Sequence, residues 1–163
     1  MDASDRVLAD KLADRDAWLT ARDRVVTASE VPHIVRGGAA RAALLTEKRS
    51  GAHRDLSRIP AIAHGLAREA VIARWAIARW PHLAVDERLV HAPGNARHAA
   101  TCDLAGDGAI AEIKTGVHDW AAVAAAPRYI DQVLWQMYCH GVRTAHILYE
   151  RHEAGVPVAF EPL

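Results

Sequence analysis

Cysteine is scarce in this 163-residue chain, with Cys102 and Cys139 its only two. That is too few for a disulfide framework, a structural zinc site or a four-cysteine iron–sulfur cluster. Apolar runs long enough to span a bilayer are missing as well. The first segment, MDASDRVLADKLADRDAW, is charged throughout, unlike a secretory leader. The expectation is a cytoplasmic protein with no membrane partner. There is no excess charge of either sign, 20 basic side chains standing against 20 acidic, and this argues neither for nor against a nucleic acid partner. Lysine is rare too: Lys11, Lys48 and Lys114 are set against an otherwise arginine-based complement, so a lysine inside an apolar run stands out.

What is present suits a single domain over residues 1–163, 51% apolar and 25% charged, with a real core. The ten histidines are scattered without HExxH or other paired ligand spacing, and the expectation for each is a surface or hydrogen-bonded role. Charge is mildly segregated: residues 1–60 hold eleven basic and nine acidic side chains, residues 101–163 four and eight.

The apolar pattern predicts a helix over about 4–24, carrying Val7, Leu8, Leu12, Trp18 and Leu19. Thr27 to Glu30 (TASE) reads as a capping box opening a short helix that stops at Gly37–Gly38. Further helices are expected over 39–49 and, after a polar loop SGAHRDLSR, over about 60–80, with Pro60 at the start and Pro81 just beyond the end. The period then changes. AVDERLVHA, RHAATCDL and GAIAEIKTG read as three strands separated by Pro93–Gly94–Asn95 and Gly106–Asp107–Gly108, which are hairpin-turn chemistries, so antiparallel neighbours are expected. A helix AAPRYIDQVLWQMYCHG, with Pro127 in its first turn and Gly141 past its last, precedes two closing strands, RTAHILYE and VPVAF.

The third strand poses a physical problem. Alternation puts Glu112 and Lys114 on one face beside Ile110, with Ala111, Ile113 and Thr115 on the other. Two opposite charges on a central strand are costly to bury unless paired or bound to something. A plain ion pair is one answer. Phosphodiester cleavage is another: it needs an activated water, stabilisation of a charged pentacovalent centre and help for the leaving oxygen, all within the reach of hard divalent cations on carboxylates. A nearby lysine can orient the water, take its proton if its pKa is depressed, or neutralise developing charge. Asp103 at a neighbouring strand end, with Glu112 and Lys114, supplies the parts.

At this point the chain resembles the YqaJ-like viral recombinase group, the phage lambda exonuclease branch of the PD-(D/E)XK nuclease superfamily. The resemblance runs from about Trp18 to Glu150 through ARDRVVTASEV, HGLAREAVIARW, ATCDLAG, AEIKTG and PRYIDQVLWQMYCHG, in that order. It implies an α/β fold with a restriction-endonuclease-like core, a small mixed sheet flanked by helices. It also implies a Mg²⁺-dependent deoxyribonuclease with Mn²⁺ as a substitute ion, most of all a 5′-to-3′ double-strand exonuclease of a phage or prophage recombination system in a bacterial cytoplasm. The implied partners are double-stranded DNA, a single-strand annealing protein and further copies of the chain, relatives being trimers.

Carried over by position, the resemblance makes Asp103 and Glu112 metal ligands with the carbonyl of Ile113, and Lys114 the catalytic lysine. Glu69, four residues after Gly65, corresponds to a further acidic residue near the metals. Gln132 matches the glutamine motif, with Tyr129 one turn earlier on the same side. Arg22 and Ser29 match binders of a 5′-phosphate, and Thr101 and Tyr129 add hydroxyls there. The plain alternatives are a solvated helix face for Glu69, core packing for Tyr129 and Trp135, and a capped turn for Ser29. Two features depart from the family. Cys102 and Leu104 stand where it has proline and glycine around the aspartate, which bears on how Asp103 is aimed. The chain also stops soon after its last strand, which puts the trimer in doubt. An endonuclease on the same site, or a catalytically inactive DNA-binding or assembly module, are the rival readings.

Overall fold

The computed structural model describes residues 4–51 and 59–162. The polar loop expected around SGAHRDLSR lies largely outside them. Two sheets share the chain. A three-stranded sheet, in the order β1–β3–β4, is built from β1 (Val7–Asp10), β3 (Arg88–Ala92) and β4 (Asn95–Ala100). A five-stranded sheet, in the order β2–β5–β6–β7–β8, is built from β2 (Leu83–Val85), β5 (Leu104–Gly106), β6 (Ala109–Gly116), β7 (Thr144–Glu153) and β8 (Val156–Pro162). The helices are α1 (Arg15–Asp23), α2 (Val31–Arg36), α3 (Gly38–Ser50), α4 (Pro60–Arg79), α5 (Trp120–Ala124) and α6 (Pro127–His140). The mixed α/β class is the one expected.

Several expected elements end elsewhere. The first helix does not start at residue 4, because Val7–Asp10 pairs with Arg88–Val90 as an edge strand. The chain then turns on its aspartates. Asp10 Oδ1 accepts from Leu12 N, and Asp14 Oδ1 accepts from Asp16 N and Ala17 N, capping α1 only there. The stretches AVDERLVHA and RHAATCDL each break in the middle. The first gives β2 to one sheet and β3 to the other, and the second does the same with β4 and β5. The three stretches are therefore two antiparallel hairpins in different sheets, β3–β4 and β5–β6, rather than one meander. The break points, Asp86–Glu87 and Thr101–Asp103, are joined where Asp86 N donates to Asp103 O at 3.1 Å, and Asp103 N donates in turn to Ala111 O of β6 at 3.2 Å.

Strands β6 and β7 run parallel, and α5 with α6 makes the crossover between them. The short α5 was not among the expected helices. The Thr27–Glu30 capping box, the α4 start at Pro60 and the α6 span from Pro127 to the left-handed Gly141 all form as expected. Helix α4 packs Ile72, Ala73 and Ala76 against Leu104, Ala111, Ile113 and Leu148, one face of the larger sheet. The small alanines let helix and sheet approach closely. Arg68 on α4 grips the buried Glu150 of β7 through two bonds of 2.8 and 2.7 Å. The smaller sheet buries Trp18, Val25, Leu89 and Ala99 on the α1 side, and Ala92 and Ala100 against Cys139 of α6. Helix α6 thus lies where the two sheets meet, facing the side of β6 that carries Glu112.

Gly106, at the end of β5, pairs with Leu83 of β2, and a Cβ there would lie 1.9 Å from the His82 carbonyl oxygen. That contact is with backbone and cannot be relieved by a rotamer. Gly106→Ala is expected to destabilise the fold by about 1–3 kcal/mol, as overpacking does. A urea denaturation midpoint equal to that of the parent chain would show that β2 does not seat on β5 in this way.

Candidate active site

Glu112 is 6% exposed and is held by three donors. Lys114 Nζ and Gln132 Nε2 donate to its Oε1, and Gln136 Nε2 donates to its Oε2. Gln136, fully buried on α6, also donates to the Thr101 carbonyl at 2.9 Å. Strand parity put Glu112 and Lys114 on one face; the register of α6, with glutamines four residues apart, brings two amides onto that face. The charges on β6 are therefore paired, and the carboxylate is oriented by amides as well as by the ammonium.

Asp103 sits across from it at the entrance to β5. Its backbone is fixed by Ala111 and Asp86, and its Oδ2 accepts from Ile113 N. Burial and the neighbouring Glu112 carboxylate raise its pKa well above the ordinary carboxylate range, outweighing the Ile113 bond and Lys114. For Lys114, burial acts downward, but the Glu112 carboxylate and its hydrogen bond prevail and raise the pKa. The ammonium form is thus favoured, which suits charge neutralisation and orientation rather than removal of a proton. Glu69, half-buried on α4, has its pKa raised by burial and by Glu87, with which it is within hydrogen-bonding reach, and it also feels Lys11 and Glu112.

Beside this acidic group lies the set expected to bind a phosphate. Arg22, at the end of α1, stacks over the Trp18 ring with its guanidinium carbon 4.5 Å from the centroid, and donates through Nη2 to Ser29 Oγ at 3.2 Å and Thr27 Oγ1 at 3.4 Å. Trp18 Nε1 donates to Thr101 Oγ1 at 3.1 Å. Lys48 Nζ holds the Arg22 and Val25 carbonyls at 2.6 and 2.7 Å and pairs with Glu30. A cavity of about 170 Å³ is lined by Arg22, Ser29 and Thr101 together with Asp103, Glu112 and Gln132.

Most of the expected residues are thereby brought together. Glu69 approaches the carboxylates without lining the cavity. Tyr129 does not line it either: it accepts from Arg128 Nη2 at 3.1 Å and lies close enough to Lys114 to act on its charge. Trp135 is partly buried and donates to the Ala99 carbonyl, a packing role. Sequence reading missed Lys11 and Glu87, which form an ion pair lining the cavity, as well as Thr27, Trp18 and Gln136. The rarity of lysine was the available signal, since all three lysines converge here: Lys11 on the cavity wall, Lys48 behind Arg22 and Lys114 on Glu112.

The oxygen donors fit a hard divalent cation. The Glu112 carboxylate raises the proton affinity of both Asp103 and Glu69, and a cation between Asp103 and Glu112 would relieve that crowding.

No family model matches the chain, and no curated protein matches it. Solved structures do. The crystal structure of LHK-Exo in complex with dAMP aligns with a TM-score of 0.69 at 22% identity, covering 89% of this chain and 80% of that one. The crystal structure of the same alkaline exonuclease, from Laribacter hongkongensis, aligns with a TM-score of 0.68 at 22% identity and the same coverage. The chain therefore has the fold of the alkaline exonuclease LHK-Exo, the fold that the sequence resemblance implies.

Proposed function

We propose that this chain is a Mg²⁺-dependent deoxyribonuclease that degrades linear double-stranded DNA from the 5′ end. The observation that carries the reading is the shared cavity, which is lined by Arg22, Ser29 and Thr101 together with Asp103 and Glu112. The relative in the comparison is named an alkaline exonuclease and was crystallised with dAMP, a nucleoside monophosphate of the kind such an enzyme would release. A phage-type recombination setting, an annealing-protein partner and assembly with further copies of the chain belong to the same proposal.

In this reading Arg22, made rigid by Trp18 and by Lys48 behind it, offers parallel donors to the oxygens of a terminal 5′-phosphate. The Ser29 and Thr101 hydroxyls add further donors. The next phosphodiester then lies over the carboxylates. Asp103 and Glu112, with the Ile113 carbonyl, would hold Mg²⁺, and Glu69 would add charge nearby. When bound, the ion supplies Lewis-acid stabilisation of the phosphoryl oxygens and a lowered pKa for water. Lys114, kept cationic by Glu112, neutralises charge developing on the phosphoryl group and orients the attacking water. Gln132 and Gln136 keep the Glu112 carboxylate turned to the cavity. Hydrolysis adds water across the bond between phosphorus and O3′. It releases a mononucleotide ending in a 3′-hydroxyl and leaves a new 5′-phosphate, which can enter the same pocket.

Lys114→Ala is expected to lower kcat by about 10²–10³, the range for loss of one charge-stabilising group, with duplex binding retained in a gel-shift assay. A wild-type rate in that variant would remove the mechanism. Linear duplex bearing a 5′-phosphate should be degraded faster than the same duplex with a 5′-hydroxyl, Arg22→Ala should narrow the difference, and a closed circle should survive. Rapid cutting of the circle without end preference would instead support an endonuclease. Mg²⁺ or Mn²⁺ should sustain turnover and Ca²⁺ should not, its looser coordination placing the water poorly; full activity in excess chelator would rule out the metal.

Asp103 also links the site to stability. Its folded pKa lies above the ordinary value of about 3.9, so the folded state holds the proton more tightly and loses stability as pH rises through the interval between the two. Asp103→Asn, without metal, is expected to raise the thermal midpoint near neutral pH and to give no such gain at about pH 3. Equal midpoints at both pH values would contradict the assignment.

A further inference from the structure

Behind Asp103, where the strands leave one sheet for the other, lies a polar knot that the proposed chemistry does not use. Asp86 stands in the link from β2 to β3, Cys102 in the link from β4 to β5, and His140 is the last residue of α6. They are 5%, 1% and 7% exposed. A carboxylate oxygen, the thiol sulfur and a ring nitrogen from the three lie within 4.8 Å of one another. His140 Nε2 is buried with no hydrogen-bond partner among the described residues, although the ring faces the Ala100 carbonyl. An imidazole nitrogen buried without a partner is costly unless something occupies its lone pair.

We propose that Asp86, Cys102 and His140 form a structural site for a borderline-soft divalent metal ion of the zinc class, separate from the oxygen-lined cavity. A sulfur, nitrogen and oxygen donor set suits zinc and is foreign to magnesium or calcium. Around zinc such donors stand about 3.3–3.8 Å apart, so small side-chain adjustments draw this trio together. The partners that orient metal ligands are in place. Arg88 holds both Asp86 oxygens at 2.8 Å, and the Ala100 carbonyl faces the imidazole. The cysteine count argued against a structural zinc site, but this one needs a single cysteine, at the position where the chain departs from the pattern of the family it resembles. Its role is to fasten the two strand links. Cys102 precedes Asp103, whose carbonyl accepts from Asp86 N, so the ion would hold the aim of Asp103 without touching substrate.

The proposal does not rest on the nuclease reading, and its test does not read activity. The chelator-stripped full chain is titrated with Co²⁺ in excess Mg²⁺. A near-ultraviolet thiolate-to-cobalt band should appear and saturate at about one equivalent, and one equivalent of Zn²⁺ should bleach it. Cys102→Ser should abolish the band, and His140→Gln should weaken Co²⁺ binding at least tenfold. Glu112→Gln and Cys139→Ala should leave the band intact. The Cys139 variant assigns the sulfur even if the Cys102 variant does not fold. Absence of the band from the wild-type chain, or its persistence in folded Cys102→Ser, would overturn the proposal and leave a hydrogen-bonded polar cluster only.

Discussion

The burial of Glu112 is the constraint around which this molecule is organised. A carboxylate on a central strand must be compensated, and β6 supplies only Lys114 from its own face. The rest comes from α6, whose Gln132 and Gln136 complete the shell of donors. This obliges the helix to lie across the sheet in one register, with Gln136 reaching the Thr101 carbonyl beside Asp103 at the same time. Removing either partner would strand a charge in the interior, so the position of α6 and the orientation of the carboxylate are one property. The opposite face of β6 carries no such burden and packs Ala111 and Ile113 on α4 as ordinary core.

The side proposed to bind phosphate follows a parallel logic with different chemistry. Among the described residues the Arg22 guanidinium is hydrogen-bonded to hydroxyls rather than to a carboxylate that would compete with an anionic ligand, although the charges of Glu30 and Asp23 act on it. It is stiffened by the Trp18 face and by small hydroxyls, and its backbone is held by Lys48. The negative charge of Glu30 is taken up by Lys48 and by the capping of Thr27. The guanidinium is thereby ordered, with donors left over for the phosphate proposed to bind there.

How much of this could be read in advance depended on whether the cause was local. The Thr27–Glu30 box, Pro60, Pro127 and Gly141 act within one turn of chain, and they marked helix boundaries correctly. Strand parity, also local, placed Glu112 and Lys114 on one face. Val7–Asp10 shares its spacing with a helix, and only a ladder to Arg88–Val90, some eighty residues away, makes it a strand. Nothing near Asp86 or Thr101 announces that a strand will change sheets there, because that choice belongs to the packing of α6 between them. Lys11, Glu87 and Gln136 were missed for the same reason: each reaches the site from a segment whose placement is a tertiary matter.

The break points carry a mechanical consequence. The peptide groups flanking Asp103 are shared between layers: its N–H belongs to β6, while its carbonyl takes the N–H of Asp86, from the link that enters the smaller sheet. Asp103 is thus a rivet through two plates. If one sheet slides against the other, the rivet turns, and the carboxylate swings with it away from Glu112. The rigidity of the whole fold is transmitted to the aim of one side chain, and a substitution far away that loosens the seam between the sheets acts on the site as directly as one inside the cavity.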